Sequence, residues 1–347
     1  MSMNDTIIQN HILDSQGAYP PLIKDKFGRT FDYLRIAINE KCNLRCIYCM
    51  PEEGIPFKPS NELLNTEEIK RIVKISVSLG VKKVRFTGGE PLLRKDIFEL
   101  IQVAASTPGI RSVHLTTNGV LLRPNILKLQ EAGLSGVNIS LDTLDSKKFK
   151  KIARRSSLSN VMDGLESALS AESLRTKLNV VLMRNFNDDE LYHFAELTKD
   201  IDIVVRFIEL MPFDSQQIWK TGKFYRVDHI ISDLRNLFPN MFITDGTRTE
   251  HSIFNIPGYR GKIAVIPAYS RHLCGACNRI RITADGKILN CLFSDEETSL
   301  IAPMRDGAID EEIAQLIKNA MWKKLENGWE AQKKGAEQRN SMTQIGG

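Results

Sequence analysis

Residues 33–51, YLRIAINEKCNLRCIYCMP, determine how the rest of the chain is interpreted. They open with apolar and polar residues in alternation, which predicts a strand. Three cysteines follow as C-x3-C-x2-C, and we call Cys42, Cys46 and Cys49 the front cysteines. A second group, C-x2-C-x13-C, contains the back cysteines Cys274, Cys277 and Cys291, and the chain has 6 cysteines in all. Thiols at such short spacings usually hold metal, and three thiols cannot all pair as disulfides within a group.

The front cysteines fit a four-iron cluster better than zinc. Structural zinc takes four protein ligands, and in sequence the nearest histidines, His11 and His114, are far from this group. A four-iron cluster normally takes four cysteines, so three would leave one iron open to a small molecule, as a catalytic cluster requires. The back cysteines leave both alternatives open, because His272 could complete a Cys3His zinc site.

Composition indicates an enzyme of the cytoplasm. The 347 residues are 42% hydrophobic and 26% charged, which excludes a disordered or fibrous chain. A surplus of 47 basic over 42 acidic residues is too small to predict nucleic-acid binding. No apolar run reaches the ~18 residues of a membrane span, and the first residues lack the pattern of a signal peptide.

Strands and helices are predicted to alternate through the first two thirds of the chain. Strands are predicted at residues 33–38, 83–87, 112–117, 137–141, 177–182 and 204–208. Helices are predicted at residues 66–79, 96–105, 124–131, 160–172 and 188–199. Such βα units imply a parallel sheet with right-handed crossovers. Periodicity does not distinguish an open sheet from a partial barrel.

One face of these strands carries polar side chains that we expect to share an interior. Successive residues of a strand face opposite sides, so the apolar set packs on the helices. The polar set comprises Arg35, Arg85, Thr116, Ser140 and Lys177. Buried charges without partners are costly, so these cations predict an anion-receiving cavity. Alternatively, some of the strands lie at an edge, or the cations pair with Glu209 or Asp142.

The rest of the chain is predicted to be less regular. Short apolar runs at 263–266, 280–282 and 287–289 surround the back cysteines, and Asp285-Gly286 is a hairpin signal. A helix is predicted at 310–325. We expect an N-terminal segment at 1–27, a barrel at 28–244, an extension at 245–330, and at 331–347 a flexible tail that ends in Gly-Gly.

The stretch Cys42–Pro51, with Tyr48 before the third cysteine, resembles the signature of the radical S-adenosylmethionine enzymes. Within that superfamily, the two cysteine groups, residues 278–281 and Gly346-Gly347 resemble the GTP 3′,8-cyclases of molybdenum cofactor biosynthesis. This likeness runs from about Lys24 to Gly347. It implies a partial six-stranded (β/α) barrel whose C-terminal extension carries a second iron–sulfur cluster.

The resemblance also implies roles for particular residues. It implies that the front and back cysteines hold two [4Fe-4S] clusters. It implies that S-adenosylmethionine is contacted by Tyr48, Gly89 in Thr87-Gly-Gly-Glu-Pro91, Ser140 and Met211. It implies that GTP is contacted by Arg35, Arg85, Thr116, Lys177, Arg279, Ile280 and Arg281. It implies a catalytic part for Arg35, Arg279, Arg281, Gly346 and Gly347.

The implied reaction converts GTP to (8S)-3′,8-cyclo-7,8-dihydroguanosine 5′-triphosphate. Further implied partners are an electron donor for the clusters, a second copy in a homodimer, and cyclic pyranopterin monophosphate synthase as recipient of the product. Two other classes stay open: a radical enzyme that modifies peptides, and a non-enzymatic iron–sulfur or zinc protein.

Overall fold

The computed structural model describes residues 22–211, 222–244, 252–270, 274–334 and 341–345. Within these residues the strands, in chain order, are β1 (Ile23–Lys24), β2 (Thr30–Phe31), β3 (Tyr33–Ala37), β4 (Lys83–Thr87), β5 (Ser112–Thr117), β6 (Gly136–Ser140), β7 (Arg175–Leu182), β8 (Val204–Glu209), β9 (Phe242–Thr244), β10 (Ser252–Asn255), β11 (Lys262–Ile266), β12 (Arg279–Ile282), β13 (Lys287–Leu289) and β14 (Glu297–Ser299). The helices are α1 (Thr66–Ser78), α2 (Ile97–Ser106), α3 (Ile126–Glu131), α4 (Ser146–Ala153), α5 (Leu158–Ser170), α6 (Leu191–Asp200), α7 (Val227–Leu237), α8 (Ile301–Arg305), α9 (Asp310–Trp322) and α10 (Gly328–Lys334).

A single sheet positions everything else. In the described part of the chain it has 12 strands, in the order β14-β13-β12-β3-β4-β5-β6-β7-β8-β11-β10-β9. From β12 to β11 every neighbouring pair is parallel, and the pairs outside this central block are antiparallel. Strands β3 to β8 are the six that the sequence predicts, so the α/β fold with a parallel core and a C-terminal extension is confirmed.

The extension completes both edges of that core. The apolar runs predicted around the back cysteines are β11, β12 and β13, and they join the same sheet. Strand β12 pairs in parallel with β3, and β11 pairs in parallel with β8. The predicted hairpin at Asp285-Gly286 joins β12 to β13, and Gly286 has the positive φ of 70° that a tight turn requires.

The apolar strand face packs on the helices, as the alternation predicts. Leu34, Ile36, Val84 and Phe86 are fully buried in the main core cluster. Helix α1 begins one residue after Asn65, whose side chain accepts the amide of Glu68 while the Glu68 carboxylate accepts the amide of Asn65. The predicted helices are present within a few residues of their expected ends, while α4, α7, α8 and α10 were missed.

No helix among the described residues has the length and apolar character needed to span a membrane. The predicted domain limits stay predictions, since no break in the sheet marks them. Residues 341–345 lie inside the predicted flexible tail, and Ser341 and Met342 donate hydrogen bonds to the carbonyl of Cys49.

Candidate active site

One cavity of about 390 Å³ lies on the polar face of the sheet, and all six cysteines line it. Strands from opposite ends of the parallel block contribute to its wall, so the sheet curls around it. Most of the predicted site residues line it too: Arg35, Tyr48, Arg85, Gly89, Thr116, Ser140, Met211, Arg279 and Arg281. The structure therefore brings the two cysteine groups and the polar strand faces, far apart in sequence, to one place.

Three arginines cross the cavity wall as a row on adjacent strands. Arg281 of β12 is paired in register with Arg35 of β3, and Arg35 is paired with Arg85 of β4. We call these three residues the arginine row. Burial, together with the neighbouring arginines, holds the pKa of Arg35 well below its ordinary value and lowers the pKa of Arg281 to about 10. Repulsion of this kind favours an anion in the cavity.

Hydrogen bonds to neighbouring side chains orient the guanidinium group of Arg85. Arg85 donates through Nε to the Tyr33 hydroxyl and through Nη1 to Thr116 Oγ1 at 3.1 Å. The Nη1 atom of Arg281 is buried and has no hydrogen-bond partner among the described residues. A buried guanidinium nitrogen that lacks an acceptor, like that of Arg281, is suited to a phosphate oxygen.

The loop of the front cysteines is held by hydrogen bonds to its own backbone. The amide of Cys49 donates to the carbonyl of Cys46 at 2.8 Å, and the amide of Leu44 donates to Cys42 Sγ at 3.4 Å. Burial raises the pKa of Cys42 and Cys46, and it raises that of Cys49 to about 12. These thiols stay neutral until a metal displaces their protons, so they fit a cluster that supplies its own positive charge.

Gly88 and Gly89 are required by neighbouring backbone. A Cβ on Gly89 would lie 2.1 Å from the carbonyl oxygen of Lys41, and one on Gly88 would lie 2.4 Å from that of Asn39. The amide of Gly89 donates to the same Asn39 carbonyl at 3.0 Å. The double glycine thus lets the loop after β4 pack directly on the segment that leads into Cys42.

Glu90 completes this junction and was not singled out from the sequence. It is fully buried and accepts hydrogen bonds from Thr117 Oγ1 at 2.7 Å, from the amide of Asn118 at 2.8 Å and from the amide of Leu92 at 3.0 Å. Burial raises its pKa to about 7 against these three donors. A carboxylate inside an otherwise apolar loop was the signal that could have identified it.

Tyr48 and Asp142 form a buried pair at the cavity wall. The Tyr48 hydroxyl donates to Asp142 Oδ2 at 2.6 Å, and the amide of Val181 donates to Oδ1 at 2.8 Å. Burial raises the pKa of Asp142 to about 6, and burial with the nearby carboxylate raises the pKa of Tyr48 well above its ordinary value. The pair fixes the aromatic ring that precedes Cys49.

The back cysteines lie in a more cationic environment than the front ones. Burial alone would raise the pKa of Cys277, but Lys324 and Arg279 outweigh it and lower that pKa to about 7. Burial raises the pKa of Cys274. A thiolate at Cys277 is therefore accessible near neutral pH. His272, the possible fourth zinc ligand, lies outside the described residues.

In the ranges that the structure describes, no three Cys, His, Asp or Glu side chains are close enough to hold one metal ion. Three thiols on a four-iron cluster bind three different irons, so their sulfurs lie farther apart than the ligands of a single ion. The observation therefore concerns mononuclear sites. The assignment of the six cysteines to clusters stays a prediction.

A few predicted residues lie elsewhere. Ile280 is fully buried in the main core cluster. Lys177 is on the same face of β7 as Asn179 and Val181, which line the cavity, but nearer the start of the strand. Gly346 and Gly347 lie outside the described residues.

Several cavity residues were missed by the sequence analysis. Arg206 of β8 lines the cavity, and the same alternation that identified Arg35 could have identified it. Asn118, in the loop after β5, donates to Cys42 Sγ at 3.7 Å. Lys324 and Thr343 carried no local signal, because they reach the cavity only through the tertiary fold.

Glu209 was one of the two carboxylates suggested as partners for the cations of the strand face, and its hydrogen bonds go elsewhere. Its buried carboxylate accepts from the amides of Val227, Tyr269 and Ser270 at 2.7 to 2.9 Å and from the Ser270 hydroxyl at 2.7 Å. The four donors account for its acceptor capacity. Glu209 therefore ties the end of β8 to the segments around it.

A curled parallel sheet with a cysteine triplet and a glycine turn at the ends of its strands defines a class of radical enzyme. The model of the Radical SAM superfamily matches residues 36–198, and that of Molybdenum Cofactor Synthesis C matches residues 203–329. A crystal structure of Streptococcus suis SuiB bound to S-adenosylmethionine shares the fold, with a TM-score of 0.57 at 16% identity, over 84% of this chain and 72% of that one.

Named relatives narrow the class. The GTP 3′,8-cyclase of Chlorobaculum tepidum is 43% identical over 96% of this chain and 100% of its own length. The GTP 3′,8-cyclase of Moorella thermoacetica is 40% identical over 94% of this chain and 100% of its own length. Human molybdenum cofactor biosynthesis protein 1 is 42% identical over 88% of this chain, which spans 48% of that longer protein. The chain belongs to the GTP 3′,8-cyclase family of the radical SAM superfamily.

Proposed function

We propose that this chain cyclises GTP to (8S)-3′,8-cyclo-7,8-dihydroguanosine 5′-triphosphate, the first step of molybdenum cofactor biosynthesis. One observation carries the proposal: both cysteine groups and the arginine row line the same cavity. A radical source, an anchor for a polyanion and a second metal group are thereby within reach of one substrate.

The front cysteines would hold a [4Fe-4S] cluster, and their donor set fits it, since it consists of three half-buried cysteines that line one cavity. When bound, the cluster and S-adenosylmethionine supply a 5′-deoxyadenosyl radical that removes a hydrogen atom from the ribose. Gly89, Tyr48, Ser140 and Met211 would orient S-adenosylmethionine. The loop made by Gly88 and Gly89 shapes that wall, and the hydrogen bond to Asp142 keeps Tyr48 in place.

The arginine row and Arg279 would bind the triphosphate. Guanidinium groups donate paired hydrogen bonds to phosphate oxygens and keep their charge. The anion would relieve repulsion among Arg281, Arg35 and Arg85, so binding energy and charge neutralisation act together. Thr116 would hold both Arg85 and the nucleotide, and Lys177 would add charge at the start of β7.

The back cysteines would hold the second [4Fe-4S] cluster, with the guanine base at its open iron. The lowered pKa of Cys277 favours ligation there, because metal binds the thiolate. The same proposal includes an external electron donor for the clusters, a homodimer, transfer of the product to cyclic pyranopterin monophosphate synthase, and a cytoplasmic location.

An anaerobic incubation with GTP, S-adenosylmethionine and dithionite tests the function. We expect deoxyadenosine and the cyclised nucleotide together, with about eight iron and eight sulfide per chain, four of each for each cluster. Deoxyadenosine without nucleotide product would point to the peptide-modifying class. Zinc at the back cysteines with about four iron would overturn the assignment of the second cluster.

Matched variants separate radical formation from substrate positioning. Arg281→Ala should cleave S-adenosylmethionine but yield little cyclised GTP, because a displacement of about 1 Å can cost 10²-fold in rate. Arg281→Lys should recover only part of the coupling. Arg123→Ala is the control, since Arg123 is exposed and pairs with Asp163 at the surface. Equal coupling in all three variants would contradict the placement of the triphosphate.

A further inference from the structure

Arg29 is a buried cation that neither the sequence analysis nor the proposed reaction uses. It lies between β1 and β2 in the turn of a short hairpin, and its side chain is only 5% exposed. Asp25 orients it: Oδ2 accepts from Arg29 Nε at 2.6 Å, while Oδ1 accepts from the amides of Phe27 and Arg29 at 2.9 and 3.0 Å. The Asp25 side chain has no exposed surface.

The other two nitrogens of Arg29 hold the C-terminal extension. Nη1 donates to the carbonyl of Cys274 at 3.0 Å and to that of Glu326 at 2.7 Å, and Nη2 donates to the carbonyl of Leu325 at 2.7 Å. One guanidinium therefore clamps the loop of a back cysteine to the segment that connects α9 to α10. These partners are 245, 297 and 296 residues away in sequence.

The segment held by Arg29 also carries a hydrogen-bond donor to the sulfur of Cys274. Directly after the clamped carbonyls, the amide of Gly328 donates to Cys274 Sγ at 3.3 Å. A donor at a cysteine sulfur withdraws negative charge from it, and hydrogen bonds to the sulfurs are among the factors that set the reduction potential of a cluster. A hydrogen-bond donor at the sulfur stabilises the reduced cluster, which carries the more negative charge. Loss of the donor therefore lowers the reduction potential of the cluster.

We infer that Arg29 is a positioning residue for the back cysteine site, which holds the amide of Gly328 on Cys274 and so sets the reduction potential of the cluster bound there. This inference rests on the proposed function, because it requires a cluster at the back cysteines. Arg29 acts through backbone carbonyls and touches no reacting atom in this role. Removing it would leave three carbonyls without their donor and would release the segment that carries Gly328.

The test uses full-length chain in which Cys42, Cys46 and Cys49 are replaced by Ala, so that only the back cluster remains. The variants are Arg29→Lys, Arg29→Met and Asp25→Asn, and Arg123→Met is the matched control. Iron per chain, the midpoint potential from an EPR-monitored titration and the hydrogen-exchange rate of the Gly328 amide are measured for each.

We expect Arg29→Met to lower the midpoint potential and to speed exchange at Gly328 at least tenfold, or to lose the back iron that the control retains. Asp25→Asn should move both readouts in the same direction by less, and Arg29→Lys should restore them only in part, since lysine lacks the fork. A bound cluster with the potential and exchange of the control would overturn the role of Arg29. A parent chain that holds no back cluster would overturn the proposed function as well.

Discussion

Gly89 shows how a single hydrogen atom in place of a methyl group determines where the front cysteines lie. Its neighbour across the gap is a carbonyl oxygen of the backbone, which cannot rotate away as a side chain could. Any Cβ would therefore push the loop after β4 away from the segment that leads into Cys42. The family resemblance implied only a contact of Gly89 with S-adenosylmethionine, and the structure shows in addition that protein backbone occupies the place of a Cβ.

Gly89→Ala should lose the front iron while the back iron stays. The matched control is Gly275→Ala, which lies in the loop of the back cysteines with no atom within 4 Å of its added Cβ. Iron counting after anaerobic reconstitution, with the cleavage of S-adenosylmethionine as a second readout, distinguishes the two. Full front-cluster content in Gly89→Ala would show that the loop can move without cost.

Glu90 predicts a particular dependence of stability on pH. Its folded pKa of about 7 lies above the ordinary 4.5, so the folded state binds its proton more tightly than the unfolded state. The resulting stability is fully present below about 4.5 and is lost as pH rises towards 7. The shift corresponds to the order of 3 kcal/mol across this window.

Urea unfolding of the cluster-free chain from pH 4.5 to 8 tests this. Glu90→Gln should remove that part of the decline, so the free energy of unfolding of the variant should fall less steeply than that of the wild type. Glu67→Gln, at a carboxylate with an 80% exposed side chain, should leave the slope unchanged. Parallel curves for wild type and Glu90→Gln would mean that Glu90 is ionised throughout.

At the scale of elements, the arginine row depends on the register between three strands. A slip by one residue would turn Arg281 to the opposite face, against the apolar core. Three guanidinium groups side by side, of which those of Arg85 and Arg281 are buried, lower the stability of the nucleotide-free chain, and a polyanion bound between them would recover it. The register of these strands therefore both forms the proposed triphosphate site and lowers the stability of the chain without nucleotide.

Arg35→Met should raise the thermal stability of the nucleotide-free chain by a few degrees and abolish the further rise that GTP gives to the wild type. Methionine keeps much of the apolar stem and removes the charge. Differential scanning fluorimetry with and without GTP measures both effects, and Arg123→Met serves as the surface control. A loss of stability without nucleotide would show that charge repulsion within the arginine row does not destabilise the nucleotide-free chain.

Local pattern predicted the elements that carry their own signal. The six strands from β3 to β8 were found because alternation is a property of neighbouring residues, and the polar face followed from the same rule. Arg206 was within reach of that rule. The placement of β11 and β12 was not, because the identity of a pairing partner depends on tertiary contacts that no local window contains.

At the scale of the molecule, the C-terminal segment reaches the front site from the far end of the chain. The Ser341 hydroxyl and the amide of Met342 donate to the carbonyl of Cys49 at 2.9 and 3.2 Å. We expected a flexible tail at residues 331–347. These contacts dock the tail at a point that lies only a few residues before Gly346 and Gly347 in the sequence.

Removal of Gly346 and Gly347 should abolish most of the cyclisation and leave the iron content unchanged, because the anchor at Ser341 remains. Truncation before Ser341 should in addition alter the EPR spectrum of the front cluster. Product yield and spectra from the two truncated chains are compared with those of the full chain. An unaltered yield without the two glycines would remove them from the catalytic machinery.

The pairing of β12 with β3 also has a consequence for how the protein is made. Tyr33 and its partner Arg279 are separated by 246 residues, and a ribosome adding about 5–20 residues per second needs roughly 12 to 50 seconds to bridge them. Throughout that time the nascent sheet presents the open edge of β3, a template for pairing with other chains. Chains stalled before residue 279 should therefore need a chaperone to stay in solution, whereas chains stalled well past residue 282 should not.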